Sequence, residues 1–217
     1  MPHLQDQLDE ITANTRNLVQ PERLAISERA VEDLFATGIE HNVLPVGAKA
    51  PEFVLNDSSG RLVRSSDLIA LGPLIISFFR GRWCPYCVTE LEAWRDLHPI
   101  VRERKALLVA ISPQTIRQSD FTRDQYSIPF PILFDEGCRV GEQFGLAYHI
   151  PPFHQQHYRN VLVNLSFVNG DGSWRLILPA TYVIDRDGSV LLAEAHADFR
   201  VRPEPEDVLR YLLAVNR

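Results

Sequence analysis

The chain has 217 residues, 45% of them apolar, enough to bury one full-sized core. Its 22 Lys and Arg stand against 28 Asp and Glu, a net charge of -6 with no basic stripe; this argues against nucleic acid or an anionic membrane as partner and for a small soluble substrate. Three cysteines, two of them in one Cys-x-x-Cys, make no disulfide framework.

In chain order, Leu4, Leu8, Ile11 and Leu18 mark a mostly polar amphipathic helix that Pro21 breaks. A second helix begins at Pro21, carries Leu24, Ile26, Ala30, Val31, Leu34 and Phe35, and stops at Gly38. Both precede any strand signal, so residues 1–44 read as a helical extension. It packs either on the main domain, residues 45–217, or on another copy of the chain in a homo-oligomer. Asp6, Asp9 and Glu10 replace the apolar core of a secretory leader, and no apolar run approaches about 18 residues, so a cytoplasmic protein without a membrane span is expected.

The main domain opens with strand, turn and strand over Phe53–Val63, then a short turn of helix at Ser65-Ser66-Asp67. Strands follow at 73–79, 106–111 and 131–134, with helices over Pro85 to about Arg104, around 114–125 and near 137–144. This alternation predicts an α/β fold with a central mixed, largely parallel sheet flanked by helices. Residues 147–178, aromatic and turn-rich, interrupt the rhythm as a lid or a contact with another copy would. A hairpin with an Asp-Gly turn joins Thr181–Ile184 to Val190–Leu192, and a final helix places Val208, Leu209, Leu212 and Leu213 on one face.

The chemistry concentrates at Cys84-Pro85-Tyr86-Cys87. The preceding apolar run suits a strand buried on both faces, and Leu91, Trp94, Leu97, Ile100 and Val101 recur at helical spacing after it. The two sulfurs therefore sit at a helix N-terminus, on the carboxyl end of a strand, where free N–H groups favour thiolate and Pro85 fits the first helical position. Such a pair can cycle between dithiol and disulfide. Zinc would need two further ligands at comparable spacing, which neither Cys138 nor the seven histidines supply, so no metal and no cofactor are expected. Arg80 and Arg82 flank the pair and can lower a thiol pKa, and Glu90, three residues past Cys87, can relay a proton. Cys138 reads as a packed thiol, and His154 and His157 as exposed loop residues in preference to lining of the cleft.

Gly47-Ala48-Lys49-Ala50-Pro51-Glu52-Phe53, the stretch from Phe78 through Trp83 to Leu91, and Thr181-Tyr182-Val183-Ile184-Asp185-Arg186-Asp187-Gly188 together resemble the peroxiredoxin-like branch of the alkyl hydroperoxide reductase and thiol-specific antioxidant (AhpC/TSA) family, over roughly residues 45–215. The resemblance implies a thioredoxin-like fold. It also implies reduction of hydroperoxides by the dithiol, with electrons from a thioredoxin- or glutathione-type donor. The family's Pro-x-x-x-Thr/Ser-x-x-Cys loop, laid on this chain, puts the peroxidatic cysteine at Cys87 and the hydroxyl position at Cys84. Arg80 stands where the family has proline, and Pro179 near its later arginine. Cys84-Pro85-Tyr86-Cys87 also resembles the glutaredoxin dithiol, and Pro179-Ala180-Thr181 the cis-proline segment facing it in thioredoxins, which makes Cys84 the nucleophile. The alternative functions are accordingly a general protein or glutathione disulfide reductase and a non-catalytic module binding through 147–178.

Overall fold

The computed structural model describes residues 3–215. The chain opens with α1 (Leu4–Leu18) and α2 (Pro21–Ala36), ended by Gly38 at a φ of 69° that favours glycine. Leu4 and Leu8 of α1 are fully buried in the same cluster as both active-corner sulfurs. The Glu204 carboxylate accepts from the Leu4 N–H at 2.8 and 3.0 Å and so anchors the start of α1 to the C-terminal part of the chain. Of the two options open from sequence, α1 therefore takes the first and packs on its own chain. Arg200 holds α2 by a two-pronged pair with Glu28 at 2.7 and 3.0 Å.

β1 (Val54–Asp57) and β2 (Leu62–Arg64) form the first hairpin; α3 (Ser65–Leu71), β3 (Leu74–Phe78), α4 (Pro85–Glu103), β4 (Leu107–Ser112), α5 (Ile116–Tyr126) and β5 (Ile132–Phe134) follow. After a 3-10 turn and α6 (Arg139–Gln143) come β6 (Ala147–His149), α7 (Pro152–Asn160), α8 (Leu165–Asn169) and β7 (Arg175–Ile177). The chain ends with β8 (Ala180–Ile184), β9 (Val190–Ala195) and α9 (Pro205–Val215). Val208 and Leu209 of α9 enter the core, as does Leu212; the side chain of Leu213 lies outside what is described.

Seven strands form one mixed sheet in the order β2-β1-β5-β4-β3-β8-β9. It is mixed as expected, but parallel only at its centre, where β3 pairs with β4 and β4 with β5. The other neighbours run antiparallel: β1–β2 and β8–β9 as hairpins that need no crossover, and β1–β5 and β3–β8 between strands distant in the chain. Every residue of β3 is buried. Its side chains alternate between faces, with Ile75 facing α1, α4 and α9 and Leu74, Ile76 and Phe78 facing a second cluster around Phe144 and Tyr182. Residues 147–178 carry more regular structure than their composition suggests. β6 and β7 pair as a separate antiparallel ladder, Ile150, Tyr158, Leu165 and Leu176 form a small core beneath it, and α7 packs against α2.

Candidate active site

β3 delivers Phe79, Arg80 and Gly81 to the turn before α4, and Cys84 takes the N-cap with an extended backbone, φ −95° and ψ 108°, ahead of Pro85. Gly81 has a φ of 143°, and a Cβ there would stand 2.6 Å from Trp83 Nε1, so a glycine lets the indole fold back over the corner. All three cysteines are free thiols, and Cys84 and Cys87 are both inaccessible to solvent.

Two buried guanidinium groups hold the two sulfurs. Arg80 Nη2 donates to Cys84 Sγ at 3.2 Å, while the guanidinium lies over the rings of Phe199 at 3.8 Å and Trp83 at 4.9 Å. Arg80 is 5% exposed, and among the described residues no carboxylate pairs with it. Since an arginine keeps its proton, the charge needs an anion nearby, and the Cys84 thiolate is the group in place. Burial pushes the Cys84 thiol up, but the hydrogen bond from Cys87 and the charges of Arg80 and Arg202 outweigh it and hold the thiol well below its ordinary range. Cys87 goes the other way. Burial, its hydrogen bond to Cys84 and the negative charge on Cys84 push it well above that range.

Arg202 serves the second sulfur. Its Nη2 donates to Cys87 Sγ at 3.5 Å and its Nη1 to Glu90 Oε2 at 3.1 Å, and both ion-pair partners are 1% exposed. Glu90 Oε1 accepts from the Thr181 hydroxyl at 3.1 Å. Burial raises the Glu90 carboxyl to about 7, with Arg202 opposing it.

Of the residues singled out in the sequence, Cys84, Cys87, Arg80, Trp83, Pro85, Tyr86 and Glu90 assemble at this corner; the Tyr86 hydroxyl lies 3.1 Å from Thr12 Oγ1 of α1 and its ring meets Phe199 edge-on. Pro179 is buried and lines a cleft next to Arg80. The Leu178–Pro179 bond is trans, unlike the cis bond expected from the thioredoxin resemblance. Arg82 points away, with its guanidinium on Gln118 and Gln125. His154 and His157 are not exposed loop residues: both lie on α7 and line the cleft that leads to Cys84, where burial and its neighbours His157 and Arg80 lower His154 to about 4. Cys138 belongs to the cluster on the other face of the sheet, and burial raises its thiol to about 12. Sequence reasoning missed Arg202, Phe199 and Tyr158. The run Asp198-Phe199-Arg200-Val201-Arg202, two cations beside an aromatic after the last strand, was the one available signal.

That cleft, about 250 Å³, is walled by Trp83, Tyr86, His154, Tyr158 and Phe199, with Cys84 and Arg80 at its base. The arrangement is a stabilised thiolate in the wall of this cleft, backed by a second thiol that is held protonated.

The chain matches the AhpC/TSA family over residues 46–193. It is 25% identical over 150 residues to the thiol-disulfide oxidoreductase ResA of Bacillus cereus, covering 68% of each chain. Peroxiredoxin Bcp of Bacillus subtilis is 28% identical over 102 residues, which is 46% of this chain and 64% of that one. Among solved structures, peroxidoxin BcpB of Mycobacterium tuberculosis superposes with a TM-score of 0.61 at 24% identity, covering 79% of this chain and 98% of that one, and this likeness carries the thioredoxin-like fold. With more than half of its length inside the family's match, the chain belongs to the AhpC/TSA family and is a thiol-dependent oxidoreductase.

Proposed function

We propose that this protein reduces hydroperoxides through Cys84 and Cys87, with Cys84 as the nucleophile. The observation that carries the reading is the 3.2 Å contact between Arg80 and a fully buried Cys84 that lines a cleft of about 250 Å³. A small peroxide fits such a passage, whereas a folded protein disulfide needs an exposed sulfur. The Cys84 thiolate attacks the terminal oxygen of ROOH, the O–O bond breaks, and the alkoxide leaves beside the Arg80 charge and takes a proton to become ROH. Cys84 is then a sulfenic acid. Cys87 attacks that sulfur, an S–S bond forms, the S–O bond breaks, and hydroxide takes a proton to leave as water. Glu90, bound to the same Arg202 guanidinium as Cys87 and titrating at about 7, is the base we assign to the Cys87 proton. Two electrons from a thioredoxin- or glutathione-type donor restore the dithiol, which suits a reducing compartment such as the cytoplasm. No helix among the described residues is long and apolar enough to cross a membrane. In this reading residues 1–44 are an extension that closes over the catalytic domain, residues 45–217.

The register of the peroxiredoxin loop assigns the peroxide to Cys87, and trapping decides between the two sulfurs. With Cys87→Ser, a sulfenic-acid reagent should label Cys84 after one equivalent of hydroperoxide. Labelling confined to Cys87 in the Cys84→Ser variant would overturn the assignment. A second reading, disulfide reduction in the thioredoxin manner, is favoured by the likeness to ResA. Reduction of glutathione disulfide or insulin, with no oxidation by hydroperoxides, would establish it instead.

A further inference from the structure

When a thiolate breaks an O–O bond, the leaving oxygen carries off the negative charge and becomes a stable product only by taking a proton. Arg80 can hold that charge but keeps its own proton. The cleft that Cys84 lines offers several other protic side chains, and nearly all are engaged. Thr15 Oγ1 donates to the Ile11 carbonyl at 2.7 Å, the Tyr86 hydroxyl lies 3.1 Å from Thr12 Oγ1, and Ser27 Oγ lies 3.4 Å from His157 Nε2. Trp83 Nε1 is buried against Gly81. His154, lowered to about 4, is neutral at physiological pH. Tyr158 remains. It is the one buried residue of α7, 4% exposed, and packs on Ile150, Leu165 and Leu176. Its ring is fixed edge-on to Trp83 with centroids 5.3 Å apart, and against His154, one helical turn earlier, at 4.7 Å. Its hydroxyl makes no hydrogen bond to any described residue, yet it lies close enough to Arg80, Cys84 and Cys87 to feel their charges. Arg80 Nε, also buried, lacks a partner too. Buried polar groups are as a rule hydrogen-bonded, so two unengaged donors beside one thiolate are what an incoming oxygen would satisfy.

We propose that Tyr158 is a catalytic residue whose hydroxyl donates to the oxygen leaving from Cys84's attack and hands it a proton. The assignment rests on the hydroperoxide reading above. In the step, an electron pair of the Cys84 thiolate forms an S–O bond to the terminal oxygen of ROOH, and the O–O pair departs on RO⁻. The sulfur is oxidised by two electrons and the peroxide reduced by two. The Tyr158 O–H proton passes to RO⁻ to give ROH, and the tyrosinate, held near the Arg80 cation, regains a proton from solvent. A phenol is a stronger acid than water, whose pKa is about 15.7, so transfer to hydroxide or an alkoxide runs downhill. Burial raises the Tyr158 hydroxyl above its ordinary range, with Arg80 opposing it, and so keeps the proton in place until a strong base forms beside it. The segment from 147 to 178 thereby supplies a reacting group to a corner built by β3 and α4.

The test uses Tyr158→Phe, which keeps the ring on Trp83 and removes a hydroxyl that holds no other part of the described fold. Three reagents that differ in their leaving group are compared on the reduced protein, by stopped-flow fluorescence and by mass spectrometry at Cys84. Hydrogen peroxide expels hydroxide, which needs a proton, and should oxidise Cys84 at least about tenfold more slowly in the variant. Peracetic acid expels acetate and iodoacetamide expels iodide; neither needs a proton, and both should react within a factor of about two of wild type. A smaller effect on hydrogen peroxide, or an equal loss with peracetic acid or iodoacetamide, would overturn the role of Tyr158 and leave the peroxidase reading standing. A wild type that iodoacetamide alkylates at Cys84 but neither peroxide oxidises would sink the peroxidase reading, and the role of Tyr158 with it.

Discussion

Replacing Glu90 with Gln tests whether a carboxyl beside the dithiol titrates near neutrality. Burial raises the Glu90 carboxyl from 4.5 to about 7, and the Arg202 charge offsets only part of that. At about 1.36 kcal/mol per tenfold change in proton affinity, the gap amounts to about 3 kcal/mol. The folded protein holds this proton more tightly than the unfolded chain does. The contribution is therefore fully present below about pH 4.5 and is lost as pH rises to about 7. Gln has nearly the shape of the protonated carboxyl, can still accept from Arg202, and does not titrate. Glu90→Gln should match the wild type in acid and exceed it by about 3 kcal/mol at pH 8. Titration of Cys84 is common to both proteins and drops out of the difference. Urea unfolding at intervals between pH 4.5 and pH 8 reads the effect directly. Two curves that stay parallel within about 0.5 kcal/mol would mean that Glu90 is ionised throughout, and would remove it as the base for Cys87.

The remaining expectations follow from the same geometry. Arg80→Met removes the cation nearest Cys84, so its thiol pKa should rise by at least one unit, roughly, and alkylation of Cys84 near pH 6 should slow about tenfold; an unchanged rate would mean that the helix N-terminus and Arg202 suffice. Gly81→Ala drives a Cβ against Trp83 at a positive φ, and should cost about 1–3 kcal/mol in urea unfolding while shifting Trp83 fluorescence. Cys138, buried and raised to about 12, should resist alkylation at neutral pH until the protein unfolds, and its early labelling would contradict its place in the core.

The corner that carries the chemistry was legible because it depends on neighbours in sequence. An apolar run, two cysteines three residues apart and a proline between them specify a strand, a helix start and a dithiol within a few residues. Arg80 and Glu90 were within reach for the same reason, one just before the helix and one on its first turns. Arg202 was not. It lies 115 positions beyond Cys87, and its place beside it depends on β8 pairing antiparallel with β3 and on the chain turning back after β9. The parallel content of the sheet was overestimated for a related reason, since periodicity reports which residues are buried and says nothing about strand direction. The two cysteines differ least in sequence and most in the fold. Helix position alone gives both some acidity, but the guanidinium of Arg80 against one sulfur, and burial of the other beside the hydrogen bond and negative charge of the first, divide them into a thiolate and a thiol. That division is electrostatic, falls off over a few ångströms, and exists only where long-range packing excludes water from all three groups.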